Sequence, residues 1–215
     1  MTTTTPITLF HSPNTRSTGA LILIEELGAE VTLHLLDMKA GEQRRPDYLS
    51  VNPMGKVPAL RHGAALVTEQ AAVFMYLAEL FPQRGLAPLP GDALRGPYLR
   101  WMTFYGSCFE PAVVDRALKR EAASPSTLPY GDFDTMLGTL EQHMAAGPWM
   151  LGERFSTADV LWGSALTWIV GFKLVPERPV FKAYIERFNA RPAVIRARQR
   201  DAQLAAAQDA ARPAA

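Results

Sequence analysis

The stretches of this sequence that are patterned as strands all lie before residue 82, and the sequence beyond it is patterned for helices. The segment over residues 81–92 carries five structure-breaking residues: Pro82, Gly85, Pro88, Pro90 and Gly91. Such a composition is typical of a linker. A short α/β segment followed by a run of helices indicates an α+β protein or two domains. We predict two: an α/β domain over residues 1–81, a linker over 82–92 and an all-helical domain over 93–215.

The first segment opens with a strand–helix–strand unit. Residues 7–10 read as a strand, and apolar residues then recur at helical spacing until Gly28 ends the helix. Residues 31–36 form a second strand, so the expected outcome is a parallel pair with the helix across one face. Residues 37–50 read as a loop or a poor helix.

The rest of the first segment is predicted as a hairpin and a helix. Short strands surround Val57 and Leu66, and the brief turn between them at Gly63 makes the pair antiparallel. A helix follows from Glu69. The predicted order is therefore β-α-β, an irregular stretch, then β-β-α.

The strand around Val57 contains a proline in an extended, buried stretch. Val57, Ala59 and Leu60 read as strand residues, yet Pro58 among them has no N–H to donate. Proline is tolerated in sheets at edges, strand starts and bulges. The strand must therefore present one open flank of backbone beside the start of a helix, which is a place to bind a ligand.

Helical patterns fill the second segment, over residues 94–121, 133–146, 157–172, 179–189 and 192–207. The sequence Ser156-Thr157-Ala158-Asp159 reads as a capping box at the start of the third of these helices. A basic cluster lies near the C-terminus and comprises Arg187, Arg191, Arg196, Arg198 and Arg200. We interpret it as the solvated face of a terminal helix rather than as a binding patch.

The overall charge offers no general case for binding nucleic acid or membranes, because 22 Lys and Arg residues face 21 Asp and Glu residues. The single cysteine, Cys108, excludes an intrachain disulfide and a cysteine-rich metal site, which suits a reducing compartment. The Thr-rich start is not patterned as a secretory signal, and no apolar run is long enough to span a membrane. We expect a cytoplasmic protein.

Two motifs together resemble the glutathione S-transferase family. The sequence Asn-Pro-x-Gly-x-Val-Pro-Ala-Leu at residues 52–60, followed by Glu69-Gln70, is similar to its glutathione-binding signature. The sequence Gly-x-Arg-Phe-Ser-x-Ala-Asp at residues 152–159 is similar to the capping box of its helical domain. The resemblance implies a thioredoxin-like first domain, a helical-bundle second domain and an active site in the cleft between them.

The resemblance also implies how glutathione is held. The Val57–Pro58 bond would be cis, and the N–H and C=O of Val57 would pair with the cysteinyl backbone of glutathione as a short added strand. Glu69 would meet the γ-glutamyl ammonium at the start of a helix. Gln70 stands where the family usually has Ser beside the γ-glutamyl carboxylate. Lys56 is expected either to reach the glycine carboxylate or to be a solvated side chain.

The loop after the first strand is expected to activate the glutathione thiol. Its candidate residues are Ser12, Asn14, Thr15, Arg16 and Ser17. Ser12 is the first choice as hydroxyl donor, with a helix N-cap as its alternative reading. Aligned against the bacterial Cys-type class, Arg16 replaces the nucleophilic cysteine. His11 reads as a half-buried strand-end residue rather than as a base.

The pocket for the second substrate is expected in the helical domain. By resemblance its lining candidates are Tyr105, Cys108, Phe109, Trp168 and Phe172. Aromatic residues at helical spacing are also typical of a core, and Cys108 reads most simply as a small buried apolar residue.

The resulting prediction is a homodimeric glutathione S-transferase that conjugates glutathione, as co-substrate, to an electrophilic apolar small molecule. No metal and no separate cofactor are expected. Two alternatives stay open: a glutathione-dependent disulfide reductase or peroxidase, and a non-catalytic stress-response module that binds glutathione.

Overall fold

The structure is a computed structural model that describes residues 5–121 and 123–212. The chain divides into two compact units. The first contains residues 5–84 together with 191–212, and the second contains the described residues between 85 and 190. The last helix therefore packs with the first unit, whereas the sequence pattern assigned it to the helical domain.

Within the described residues, the strands of the first unit form one mixed sheet. Its strands are β1 (Ile7–His11), β2 (Thr32–Leu35), β3 (Ala59–His62) and β4 (Ala65–Val67), in the spatial order β2-β1-β3-β4. β1 and β2 are parallel, and β3 is antiparallel to both β1 and β4. The predicted parallel pair and the predicted hairpin are confirmed.

Helices cover both faces of this sheet. They are α1 (Ser17–Leu27), α2 (Pro46–Leu49) and α3 (Gln70–Leu80), and short 3₁₀ turns lie at Glu42–Arg44 and Pro82–Arg84. α1 contacts β1 and α3, and α3 contacts β3 and β4. Because side chains alternate along a strand, Phe10 points away from the α1 side and packs with Tyr48 of α2.

The first unit is completed by α9 (Pro192–Ala211), the last helix of the chain, which packs along α1. Its buried residues are Ala193, Val194, Ala197 and Asp201. Arg191 makes two contacts of 2.6 and 2.9 Å with the Glu26 carboxylate of α1. This fork-to-fork geometry is the strong form of an arginine–carboxylate pair. Part of the basic cluster thus anchors α9.

The elements of the second unit are helices in its described part. They are α4 (Arg95–Phe104), a π-helical turn at Tyr105–Phe109, α5 (Glu110–Ala117), α6 (Phe133–Ala145), α7 (Thr157–Gly171) and α8 (Pro179–Asn189). The predicted helical character of this region is confirmed. Among the described helices of the whole chain, none combines the length and the apolar character needed to cross a membrane.

The capping box at the start of α7 is present. Asp159 is fully buried and accepts hydrogen bonds from Ser156 N–H at 2.8 Å, Met150 N–H at 2.6 Å and Tyr184 O–H at 2.7 Å. Burial raises the pKa of Asp159 to about 6, although these hydrogen bonds pull it down. The carboxylate therefore ties α7, α8 and the preceding loop together.

Candidate functional site

The loop before β3 is shaped by buried polar contacts. The C=O of Lys56 accepts hydrogen bonds from Tyr48 O–H at 2.5 Å and from Asn52 Nδ2–H at 2.9 Å. Gly55 has a φ of 61°, and a Cβ on it would lie 2.7 Å from the Gln43 carbonyl oxygen. The asparagine and the glycine of the 52–58 motif therefore build the turn that leads into Val57.

The peptide bond between Val57 and Pro58 is cis, as the resemblance implied. The two residues lie just before β3 begins at Ala59. In the part of the chain that the structure describes, no hydrogen-bond partner is found for the N–H or the C=O of Val57. This open backbone can accept a short extended ligand as an added strand.

The start of α3 lies next in sequence and has an unusual backbone. Glu69 is exposed and holds the N-cap position with φ 65° and ψ 123°. A non-glycine residue in this region costs about 1–3 kcal/mol, and such strain is found at ligand-binding sites more often than elsewhere. The exposed Glu69 carboxylate is free of any described ion pair, so it is available to a ligand cation.

Gln70 connects α3 to the first loop. Its Nε2–H donates to the C=O of Arg16 at 3.2 Å, and its Oε1 is buried with no partner among residues 5–121 and 123–212. One amide hydrogen is therefore already engaged by the protein, whereas the carbonyl oxygen still lacks a donor.

The first loop, residues 12–16, is a network of hydroxyl and backbone contacts. Ser17 Oγ lies 2.8 Å from His11 Nδ1 and 2.7 Å from Thr15 Oγ1, and it accepts the Ser12 N–H at 3.1 Å. Both hydroxyls also lie within 3.0 Å of the Ser12 carbonyl oxygen. The structure thus brings Ser12, Thr15 and Ser17 together, and Ser12 joins these contacts through its backbone.

The remaining first-loop candidates face outward. Asn14 and Arg16 are exposed, and Asn14 has a left-handed φ of 57°. α1 begins at Ser17 with Arg16 at the N-cap position. The alternative reading of Ser12 as the N-cap residue is therefore wrong, because Ser12 lies too far before the helix.

His11 is not the half-buried residue that the sequence suggested. Its exposed fraction is 0%, and both ring nitrogens have polar neighbours. Nε2 lies 2.9 Å from Oδ1 of Asp201 on α9. The imidazole fills the space between β1, α1 and α9 and joins the first loop to the last helix.

Asp201 holds three separate parts of this region. Besides its contact with His11, its Oδ2 accepts hydrogen bonds from Asn14 N–H and Thr18 Oγ1–H, both at 3.0 Å. Burial alone would raise the pKa of Asp201, but the hydrogen bonds from His11, Asn14 and Thr18 outweigh it and hold that pKa below its usual range. The carboxyl group is therefore ionised at neutral pH.

A cavity of about 240 Å³ opens beside the first loop. Its walls come from that loop, from the turn after β2 and from the last turns of α9, with the lining residues Ser12, Pro13, Asn14, Thr15, Met38 and Gln208 among others. Two ion pairs hold its outer wall: Arg212 with Asp37 at 2.7 Å and Lys39 with Asp209 at 3.0 Å. Ser12 and Thr15 are the first-loop hydroxyl residues that face this space.

The candidates for a second-substrate pocket fall into two groups. Tyr105 and Phe109 are buried and pack against Trp162, with ring centroids 5.7 and 5.0 Å away. Trp168 and Phe172 have exposed fractions of 39% and 64% and form an edge-to-face pair at 5.3 Å. The first two therefore act in the core, whereas the second two offer aromatic surface.

Cys108 is half-buried rather than buried. Its Sγ–H donates to the Pro129 carbonyl oxygen at 3.4 Å. The π-helical turn explains this placement, because its i→i+5 hydrogen bonds put more residues into one turn, which keeps Tyr105 and Phe109 on one face and turns Cys108 away from it.

Several residues of the site were not found from the sequence. Asp201, Thr18 and Tyr48 make central contacts, and none was a candidate. One signal for Asp201 was present: it continues the buried register of Ala193, Val194 and Ala197 on α9 as its one acid. A carboxylate at an apolar position indicates a buried polar partner. In the described residues, no group of three or more His, Cys, Asp or Glu side chains is placed to hold a metal ion.

Comparison with known families covers both units. The family described as "Glutathione S-transferase, N-terminal domain" matches residues 5–79, and "Glutathione S-transferase, C-terminal domain" matches residues 111–187. The first match contains the first loop, the cis proline and Glu69. The second covers the helices from α5 to α8.

Individual relatives match over nearly their full length. The chain is 28% identical to "Glutathione S-transferase GstA" of Escherichia coli O157:H7, covering 86% of this chain and 94% of that protein. It is 26% identical to "Disulfide-bond oxidoreductase YfcG" of Escherichia coli (strain K12), covering 87% and 92%. A sphingomonad glutathione S-transferase solved with glutathione is 30% identical, with a TM-score of 0.74 and coverage of 91% and 98%.

Proposed function

Because the chain belongs to the glutathione S-transferase family, we propose that it binds glutathione on its first unit and activates the thiol to attack an electrophilic small molecule. The observation that carries this proposal is the open backbone of Val57 beside the cis Val57–Pro58 bond. The cysteinyl N–H and C=O of glutathione would complete that edge.

The two ends of glutathione would be recognised by charge. Glu69 would pair with the γ-glutamyl ammonium, and the free N–H groups at the start of α3 would face the neighbouring carboxylate. The Gln70 N–H belongs to this first turn, and its buried Oε1 offers a further acceptor for the ammonium. Lys56 would reach the glycine carboxylate.

Thiol activation requires a large preference for the anion. A free thiol has a pKa of about 8.5, and lowering it by two units takes about 2.7 kcal/mol. A hydroxyl donor and the N-terminal end of α1 can supply stabilisation on that scale. Ser12 and Thr15 are the candidate donors because both line the cavity, whereas Ser17 is fully buried. Asn14 and the Arg16 cation would add polar contacts from the exposed side of the loop.

The cofactor requirement, the cellular location, the oligomeric state and the class of electrophile are also part of this proposal. Glutathione is a consumed co-substrate, no other cofactor or metal takes part, and the protein works as a cytoplasmic homodimer. The electrophile is largely apolar. The exposed rings of Trp168 and Phe172 are aromatic surface of the second unit.

The test combines binding with turnover. Calorimetric titration with glutathione is expected to show binding at millimolar concentration or below, and a chloroaromatic substrate is expected to be conjugated. Ser12→Ala and Thr15→Val are then compared, and the thiol donor is the residue whose loss lowers kcat tenfold or more with little change in the glutathione KM. Absence of glutathione binding would reject the proposal.

A disulfide reductase or peroxidase is the second candidate function. It is supported by the similarity to a protein named as a disulfide-bond oxidoreductase. Because the first loop contains no cysteine, glutathione itself would have to supply the reducing thiol. A disulfide and a hydroperoxide are therefore assayed beside the chloroaromatic substrate. The substrate with the highest kcat/KM identifies the reaction that the protein catalyses.

A further inference from the structure

The side chains of Thr15, Ser17, His11 and Asp201 lie in a row from the cavity into the interior of the first unit, and we call this row the file. Thr15 Oγ1 lies 2.7 Å from Ser17 Oγ, Ser17 Oγ lies 2.8 Å from His11 Nδ1, and His11 Nε2 lies 2.9 Å from Asp201 Oδ1. Thr15 is half-buried at the outer end, whereas Ser17 and His11 have exposed fractions of 0%. The file therefore links a surface hydroxyl to a buried carboxylate.

The hydrogen positions at the inner end follow from the chemistry of the groups. Nε2 of His11 lies 2.9 Å from Oδ1 of Asp201, although the two atoms do not meet in hydrogen-bond geometry. Because Asp201 is ionised at neutral pH and can only accept hydrogen bonds, its charge favours the tautomer of neutral His11 that carries hydrogen on Nε2. In neutral His11 the other nitrogen, Nδ1, then carries a lone pair. The group that lies against Nδ1 is the Ser17 hydroxyl, which has one hydrogen and two acceptors: Nδ1 at 2.8 Å and the Ser12 carbonyl oxygen at 3.0 Å. Donation to Nδ1 is the arrangement that the shorter distance and the Nδ1 lone pair favour.

The outer end of the file follows from that arrangement. With the Ser17 hydrogen directed at His11, Ser17 Oγ is left as an acceptor for Ser12 N–H and for the Thr15 hydroxyl. The single hydrogen of Thr15 points inward, either to Ser17 Oγ or to the Ser12 carbonyl oxygen. Thr15 Oγ1 is thus left with a lone pair for a donor in the cavity that it lines.

We propose that His11, oriented by Asp201, takes up the proton of the glutathione thiol through the hydroxyl groups of Ser17 and Thr15. The proposal rests on glutathione being the substrate. The S–H bond breaks and its proton passes to Thr15 Oγ1, the Thr15 hydrogen passes to Ser17 Oγ, and the Ser17 hydrogen passes to His11 Nδ1. The products are a thiolate that accepts a hydrogen bond from Thr15 and an imidazolium held between Asp201 and Ser17. Net charge is unchanged.

The surroundings of His11 favour this transfer. From a thiol with a pKa of about 8.5 to a free imidazole with a pKa of about 6.5, the transfer is about a hundredfold unfavourable. The adjacent Asp201 carboxylate stabilises the imidazolium, and the Thr15 O–H stabilises the thiolate. Both interactions are stronger in the product state, where each involves an added charge, and therefore oppose the unfavourable ratio.

Among the described residues, Asp201 is the charged side chain in contact with His11. β2 places Leu35 beside His11, α1 presents Ser17 and Thr18, and α9 presents Asp201. The charges at the outer wall of the cavity, Asp37 with Arg212 and Lys39 with Asp209, are paired with one another. His11 and Asp201 act through the hydroxyls and are positioning residues.

A purely structural role for Asp201 is the competing explanation, because its carboxylate also accepts hydrogen bonds from Asn14 and Thr18. The variant Asp201→Asn distinguishes the structural role from the proton-transfer role. With its oxygen directed at those anchors, the amide N–H₂ faces His11 Nε2 and forces the hydrogen of neutral His11 onto Nδ1. His11 can then no longer accept the Ser17 hydrogen, although the loop keeps its anchors. Thr18→Val is the matched control, since it removes one hydrogen bond to the same carboxylate outside the file.

The decisive readout is the protonation of His11, followed by ¹⁵N nuclear magnetic resonance of the four histidines of the chain near pH 7.5. His11→Gln identifies the His11 signals, and Ser17→Ala identifies them independently through the shifted Nδ1 resonance if His11→Gln fails to fold. Saturation with glutathione is expected to add hydrogen to Nδ1 of His11, compared with the free protein at the same pH. Glutathione that binds as thiolate while His11 stays neutral would overturn the proposal.

The pH profile of kcat/KM gives the second readout. Asp201→Asn, Ser17→Ala and Thr15→Val are expected to move the acid limb up by one pH unit or more. Thr18→Val, which lies outside the file, is expected to move it by clearly less, and Thr15→Ser, which keeps a hydroxyl, is expected to restore most of the shift of Thr15→Val. If Asp201→Asn and Thr18→Val shifted the acid limb equally, Asp201 would have only a structural role and the proposal would be rejected. Calorimetry on the wild-type protein runs beside these assays: a lack of glutathione binding rejects the proposed function, whereas binding with unshifted profiles rejects the relay alone.

Discussion

The Asp201 carboxylate of α9 lies 2.9 Å from Nε2 of His11 at the end of β1, so the last helix of the chain holds the loop that follows its first strand. The same carboxylate accepts the Asn14 N–H and the Thr18 O–H. Loop geometry in the first unit therefore depends on a helix that lies almost two hundred residues later.

Asp201→Ala is expected to lower the free energy of unfolding by about 3 kcal/mol, because it removes a buried carboxylate that neighbours polar groups of His11, Asn14 and Thr18. Asp209→Ala on the same helix is the control, since Asp209 is exposed and is expected to matter much less. Urea unfolding measures both. If Asp201→Ala and Asp209→Ala lowered the free energy of unfolding equally, the contacts of Asp201 would contribute no more than a surface ion pair.

The contribution of Asp201 is also expected to depend on pH. Its pKa is held below the unfolded value of about 3.9, so its stabilisation is present above that value and is lost as the pH falls through the folded-state pKa. The stability difference between wild type and Asp201→Asn should therefore narrow below about pH 4. A difference that widens there would contradict the assignment.

The pH dependence of the Asp159 contribution to stability is expected to be opposite to that of Asp201. Its folded-state pKa is raised to about 6, so between about pH 4 and pH 6 the folded chain binds more protons than the unfolded chain. Its contribution to stability falls as the pH rises through that range, by about 3 kcal/mol in total. Unfolding curves of wild type and Asp159→Asn give the difference in their free energies of unfolding at each pH across that range. A difference that does not change with pH would contradict the prediction.

Gly163 of α7 is closely packed, because a Cβ on it would lie 2.3 Å from Cγ of Phe188. Gly163→Ala is expected to destabilise the second unit by about 3 kcal/mol through overpacking. Gly138 of α6 has open space at the same position, and Gly138→Ala is expected to stabilise by about 0.5–1 kcal/mol. Adding Phe188→Leu to Gly163→Ala should recover part of the loss, and simple additivity of the two would contradict the predicted clash.

Glu69 provides a test of recognition. Glu69→Gln is expected to weaken glutathione binding about tenfold or more, because the ligand ammonium loses an ion pair in a partly desolvated position. Glu30→Gln removes an exposed acid elsewhere in the first unit and should leave the affinity unchanged. Calorimetric titration compares them, and equal affinities would move the ammonium site away from Glu69.

The sequence was sufficient wherever a local rule governs the structure. The parallel β1–β2 pair follows from a strand–helix–strand pattern, and the β3–β4 hairpin follows from a brief turn. The capping box at Ser156 and Asp159 needs only four consecutive residues. In each case the interacting residues are close in the chain, so propensity and spacing predict their contacts.

The sequence was insufficient where the contact is long-range or the helix is irregular. The pairing of His11 with Asp201 joins the two ends of the chain, and nothing in the spacing of the α9 residues names a partner in the first loop. The expectation of a buried Cys108 was wrong because regular α-helical spacing does not hold through the π-helical turn at Tyr105–Phe109. Both failures concern the candidate site rather than the fold.

The central claim is that the first unit binds glutathione and stabilises its thiolate. The most direct measurement is the ultraviolet absorbance of the thiolate of protein-bound glutathione, titrated against pH and compared with free glutathione. We predict a bound thiol pKa about two units below the free value of about 8.5. A bound thiol that titrates at the free value would contradict the account, whatever the affinity of the complex.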